Sequence, residues 1–396
     1  MRHRVIVLFF FIAFGAIAGI AKNSKGRVSF QFYGSQWSVR VSDKLHFSMP
    51  DSSSLMPYDT VLIKDTYEDC LALKSQKRLN DWAYMKMLDS LSVACYGNTD
   101  EAVLMKTYLF KKSGYDVVLL RAGNPLYMGY YTKNTVYGHS FFTISGRDYY
   151  SDGEIKGNAK INTFLIGNGK PVSFDMKEQP LLDYKRTRNR IFESGKGKIG
   201  DDPITREIPN PIAIEVSVNQ NLLNFYAQYP SSGKNYDYMT RWAMMANVPL
   251  DEDVKRQIYP TLQKELAGLS QYDAVNRLLI FTQTAFNFKY DEDIWGYDRA
   301  FFAEETLFYP YTDAEDRVIL LSRLVRDLVG LEVVILYYPG HLALGVHFDE
   351  EIEGASVIYN GDRFVICDTM YIGADVGEVL SLFNDEDPTR IILLYK

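Results

Sequence analysis

Two side chains near the end of the chain carry most of its visible chemistry. His341 follows Tyr338-Pro339-Gly340, and Asp368 stands in Ile366-Cys367-Asp368-Thr369-Met370-Tyr371. An imidazole oriented by a carboxylate is a general base that takes a proton from a thiol or hydroxyl within hydrogen-bond reach. A thiol attacks as thiolate, a form that a helix N-terminus and a neighbouring imidazolium both favour. The stretch Tyr309-Pro310-Tyr311-Thr312-Asp313-Ala314-Glu315-Asp316-Arg317 offers such a helix start. The residue at the start of that helix is Ala314, which cannot attack a carbonyl.

The elements that must position these residues are legible. Val318 to Val329 has apolar residues at helical spacing and closes at Gly330, a stop signal. Leu331 to Tyr338 is rich in β-branched and aromatic residues and reads as a strand, and His341 to Phe348 reads as the next. Asn360-Gly361 is a hairpin signal that delivers Arg363 to Asp368 as a further strand. A helix followed by strands, with His and Asp on neighbouring strands, is a workable catalytic geometry.

This arrangement resembles the core of the bacterial transglutaminase-like, papain-related proteins. Their pattern is a Cys opening a helix in a D-C-E-D-R type motif, a His starting a strand after P-G, and an Asp before T-x-Y. The resemblance covers residues 270–380 well and the first half weakly. It implies that His341 is the base, that Asp368 orients it, and that Ala314 occupies the nucleophile position with the sulfur lost. It also implies a role for Gln283 in the helix before the motif, where a side-chain donor can help stabilise an oxyanion; the other reading of Gln283 is a solvent-facing helix residue. Gly296-Tyr297-Asp298 and Glu304-Glu305-Thr306-Leu307 resemble the family's approach to the motif. The fold implied is α+β, a papain/transglutaminase-like core with a helix packed on an antiparallel sheet.

The three cysteines leave alternatives open. Cys367 adjoins Asp368 on a strand, where alternation points it to the opposite face and into the core. Cys70 and Cys95 could form a disulfide in an oxidising compartment. Cys95, His139 and Asp152 occur in the order of a shifted triad, although His139 falls in an extra loop. His46 and His347 have no partners at metal-ligand spacing, and no His-x-x-x-His or Cys-x-x-Cys pair occurs, so neither metal nor cofactor is expected.

The chain also reads as written twice. Asn98–Tyr130 aligns without a gap on Ala314–Val346, most strongly at Gly114-Tyr115-Asp116-Val117-Val118-Leu119-Leu120 against Gly330-Leu331-Glu332-Val333-Val334-Ile335-Leu336. Duplication is the expectation, with a degenerate first copy holding Asn98 and Pro125 where the second holds Ala314 and His341. Thr187–Pro211 is polar and punctuated by Gly and Pro, which reads as a linker. The expected organisation is a leader at 1–21, an N-terminal repeat at 22–190, a linker at 191–211 and a C-terminal domain at 212–396.

The leader has a basic start at Arg2-His3-Arg4, an apolar run from Val5 to Ala18 and small residues at a cleavage site, so the mature chain is expected to be exported to the periplasm or cell envelope. No later segment is long and apolar enough to span a membrane. A net charge of −7 without a Lys/Arg stripe argues against nucleic-acid binding, and 47% hydrophobic residues supply ample core.

Three function classes compete. One is a catalytically inactive transglutaminase-like module that binds a peptide or protein. The second is a cysteine-type amidase, peptidase or acyltransferase with a displaced nucleophile such as Cys95, or with Ala314 in place of a native Cys. The third is a structural envelope protein. The binding reading expects an open cleft lined by Trp295, Tyr297 and Tyr309 over His341.

Overall fold

The computed structural model describes residues 22–23, 26–49, 61–155, 161–234, 237–380 and 386–394. The expected leader lies outside them.

The first half opens with strands β1 (Lys22–Asn23), β2 (Arg27–Phe32) and β3 (Ser35–Arg40). Helices α1 (Lys64–Gln76), α2 (Asp81–Tyr96) and α3 (Asp100–Lys112) follow. The starts of α2 and α3 are fixed by Asn80 and Thr99, whose side chains accept from the backbone N–H of Ala83 and Ala102. Next come β4 (Val117–Ala122), β5 (Leu126–Tyr131), β6 (Asn134–Val136), β7 (Phe141–Ile144), β8 (Arg147–Ser151) and β9 (Ile161–Ile166). Five of these form an antiparallel sheet in the order β7-β8-β5-β4-β9.

The expected linker is an ordered strap. β10 (Arg190–Glu193) pairs with β13 (Ala213–Val216), and β11 (Lys198–Ile199) pairs with β12 (Asp202–Pro203). The amides of Gly195 and Gly197 both donate to the Thr284 carbonyl, at 3.1 and 2.8 Å. A Cβ at Gly197 would lie 2.3 Å from the Phe286 carbonyl oxygen, so the glycine permits this approach. Residues that read as flexible punctuation are therefore the means of close backbone docking.

The second half contains α4 (Gln220–Tyr226), β14 (Ser232–Lys234), α5 (Arg241–Asn247), α6 (Glu252–Leu266) and α7 (Gln271–Thr284). Two single-turn helices, α8 (Asp291–Ile294) and α9 (Ala303–Thr306), precede α10 (Ala314–Leu324). Then come β15 (Glu332–Tyr338), β16 (His341–His347), β17 (Ser356–Tyr359), β18 (Asp362–Cys367) and β19 (Arg390–Leu393), in the antiparallel order β17-β18-β16-β15-β19.

The molecule is thus α+β with two antiparallel five-stranded sheets of the same strand order, each following a helix, an arrangement compatible with a duplicated core. The central hairpins also share their register at a constant offset. Val117 faces Tyr130 and Val118 faces Gly129, as Val333 faces Val346 and Val334 faces Gly345. The two glycines have one cause. A Cβ at Gly129 would lie 2.6 Å from Val118 Cγ2, and one at Gly345 would lie 2.8 Å from Val334 Cγ2. One continuous apolar core, with members from Val28 to Leu394, joins the halves. β6 of the first half also pairs with β14 of the second. Among the described residues, no helix is long and apolar enough to cross a membrane.

Candidate functional site

The start of α10 is fixed by its own side chains. Asp313 is the N-cap, accepting from Asp316 N, while Asp313 N donates to Asp316 Oδ2 at 3.2 Å. This reciprocal capping box makes Ala314 the first helical residue. Arg317, one turn in, is fully buried and donates to Thr312 Oγ1, the Gln283 carbonyl and the Phe286 carbonyl at 3.0–3.1 Å. It ties the carbonyl end of α7 to the start of α10, and burial pushes its guanidinium down to about 10.

His341 is delivered by the β15–β16 hairpin. Tyr338 pairs with His341 across Pro339-Gly340, and Gly340 takes the positive φ of +78° that the turn requires. Asp368 follows β18, whose Cys367 pairs with Leu344 of β16. The two side chains meet, with His341 Nε2 at 2.9 Å from Asp368 Oδ2. Asp368 is 1% exposed, and its Oδ1 accepts from the amides of Met370 and Tyr371 at 2.9 and 3.1 Å. Contacts of this kind are how a carboxylate fixes the orientation of an imidazole.

Ala314, Gly340 and His341 line one cleft of about 490 Å³. Its apolar lining includes the aromatic rings of Tyr238, Trp242, Phe288, Tyr290 and Tyr337. Among the described residues, no Ser, Thr or Cys lines it.

The cleft is acidic on the side of α8. Carboxylate oxygens of Asp291, Asp298 and Glu315 lie within 4.8 Å of one another. Burial and the charges of Glu315 and Asp298 push Asp291 up to about 7, and burial with the Asp298 charge raises Glu315. Among the described residues, these three could hold a cation. Arg241 already supplies a positive charge to them, donating to both Asp298 oxygens at 3.0 and 2.7 Å and lying 3.7 Å from Glu315. Its guanidinium stacks 3.7 Å from the Tyr238 ring centroid and 4.2 Å from that of Trp242. Arg241 was missed in the sequence, where the one available signal was a lone cation in an aromatic-rich run.

Several expected site residues stand elsewhere. Gln283 is neither solvent-facing nor an oxyanion donor. It is fully buried, and its Nε2 donates to the carbonyls of Asp368, Tyr371 and Ala374 at 2.9–3.0 Å. It fixes the loop after β18 and so indirectly the Asp368 carboxylate. Trp295, Tyr297 and Tyr309 do not lie over His341; they line a second cavity together with residues of the first half. The reason is that one short segment, Asp291 to Arg299, sends Asp291, Glu292 and Asp298 to the first cleft and Ile294, Trp295, Tyr297 and Arg299 to the second.

The order Cys95, His139, Asp152 does not assemble as a triad. Asp152 is ion-paired with the buried Lys106 and accepts from Met128 N, whereas His139 is hydrogen-bonded to the Ser151 backbone. Asn98 and Pro125, expected at the positions of Ala314 and His341 in a first copy, are exposed. Cys70, Cys95 and Cys367 are buried, and Cys70 and Cys95 form no disulfide. Burial raises the Cys367 thiol well above its ordinary value, which suits a core residue and not a nucleophile. His46 sits beside Glu101 at 3.3 Å, and His347 Nδ1 bonds the Arg363 carbonyl at 2.9 Å.

Compared with models of known protein families, with curated proteins and with solved structures, the chain finds no match.

Proposed function

We propose that this chain is an exported, catalytically inactive transglutaminase-like protein whose cleft binds a peptide segment of a partner. The observation carrying the reading is the coexistence of an oriented His341–Asp368 pair, an alanine at the first turn of α10, and an open cleft where those residues meet. A remnant kept for folding alone would have this space filled by side chains, because buried voids cost stability. An enzyme of this type would need a nucleophile beside His341, and among the described residues the cleft lining provides no thiol or aliphatic hydroxyl. The papain-related character of the fold is part of the same proposal. It rests on the P-G-H turn, the Asp before Thr369-Met370-Tyr371, and the helix that starts at Ala314.

The test uses binding. Ala314 is half-buried at the mouth of α10, so Ala314→Trp should fill the cleft without disturbing the core. In titrations of a peptide panel followed by Trp242 fluorescence, at least one sequence should bind the wild-type protein and lose about tenfold or more in affinity with Ala314→Trp. Equal binding by both proteins would remove the cleft from the function.

A further inference from the structure

A second cavity, of about 930 Å³, is a separate place from the His341 cleft. It lies between the halves, bounded by the β2–β3 turn, α2, α4 and the segment from Ile294 to Arg299. We propose that it is a binding site for a saccharide chain.

The lining supports this class of ligand. Phe32, Tyr33, Trp295, Tyr297 and Tyr309 contribute aromatic rings, while the aliphatic contribution is limited to Ala227 and Ile294. An acyl chain or an apolar peptide would call for the reverse, a wall of Leu, Ile and Val. The remaining lining is polar and includes Asp89, Asn224, Gln228 and Arg299. Planar amide, carboxylate and guanidinium groups beside ring faces match a sugar, which has apolar C–H faces and a rim of hydroxyls that both donate and accept.

Two features show that the cavity is a built site. Tyr33 occupies the first position of the two-residue β2–β3 turn, with φ of +45°, followed by Gly34 at +79°. Asn, Asp or Gly would adopt that conformation with less strain than a tyrosine. The tyrosine uses its place fully: its ring packs edge-on to Phe225 at 5.3 Å, and its hydroxyl donates to Gln228 Oε1 at 2.9 Å. That bond fixes the Gln228 amide and leaves its N–H donors for an occupant. On the opposite wall, Arg299 is held by Glu305 at 2.5 Å and stacks 4.4 Å from the Trp295 ring centroid, so the indole is locked as a platform. Tyr297 is 59% exposed beside it.

The proposal stands independently of peptide binding at Ala314, since the two cavities share a wall but no lining residue. The experiment is calorimetric titration of the full chain with chitotetraose, cellotetraose and maltotetraose, and with a capped tetra-alanine as the peptide arm. At least one of the sugars should bind with a roughly millimolar or tighter Kd, and Trp295→Ala should weaken it about tenfold or more. Because Trp295 also packs against Tyr309, the exposed Tyr297→Ala serves as the second variant and should weaken binding several-fold with an unchanged melting temperature. Tyr290→Ala, in the other cleft, should leave sugar binding unchanged. Failure of all three sugars to bind, binding of the peptide alone, or sugar binding indifferent to both Trp295→Ala and Tyr297→Ala would overturn the proposal.

Discussion

At the scale of single residues, Glu304 shows how far the second half is committed to its polar core. Its carboxylate is fully buried and takes hydrogen bonds from Gln179 Nε2 at 3.1 Å, Asp251 N at 2.6 Å and the Tyr226 hydroxyl at 3.4 Å, all neutral donors. Burial, with the nearby Asp251 charge, pushes it up to about 7. An acid whose folded pKa exceeds its unfolded value binds more protons in the native state, so stability falls as pH rises through the interval from about 4.5 to 7. Glu304→Gln removes the ionisation and keeps the shape, its amide able to donate to the Tyr226 oxygen. The variant should therefore be more stable than wild type at pH 8, by on the order of 3 kcal/mol. The advantage should vanish below about pH 5. Denaturant titrations at the two pH values check this, and a pH-independent difference would contradict it. The Gln283 case is related. A residue chosen for its helical position was buried under a loop contributed 85 residues later, and nothing in local spacing could signal that.

At the scale of elements, the parts of the site that were legible were those set by short-range rules. The P-G turn before His341, the Gly330 stop after α10 and the N-G turn before β18 are local signals, and each element they bound is present. The paired hairpins were legible too, because Gly129 and Gly345 stand where no side chain fits. The segment from Asp291 to Arg299 was not legible. It holds one turn of helix and then irregular chain, so no period assigns Trp295 to one cavity and Asp298 to another. The strap around Gly197 was misread for a similar reason. Glycine marks a flexible link and a close approach alike, and only the neighbour, here the end of α7, distinguishes the two.

At the scale of the whole molecule, sequence blocks and structural units part company. The expected boundary near residues 191–211 is crossed by the β6–β14 pairing, by the bond from Gln179 to Glu304 and by the continuous core. Cutting there would expose that core on both pieces, and small domains have little stability to lose. A fragment of residues 212–396 should lack the cooperative melting transition of the full chain, which should itself unfold in a single step when followed by calorimetry. A fragment with its own sharp transition would show that the halves fold independently. We propose that the cleft's geometry still serves a nucleophile that position 314 lacks. Ala314→Cys tests it most directly, with the new thiol's alkylation by iodoacetamide measured across pH. The account predicts a thiolate formed well below pH ~8.5, with the shift lost on further His341→Ala substitution. An ordinary thiol, indifferent to His341, would contradict it.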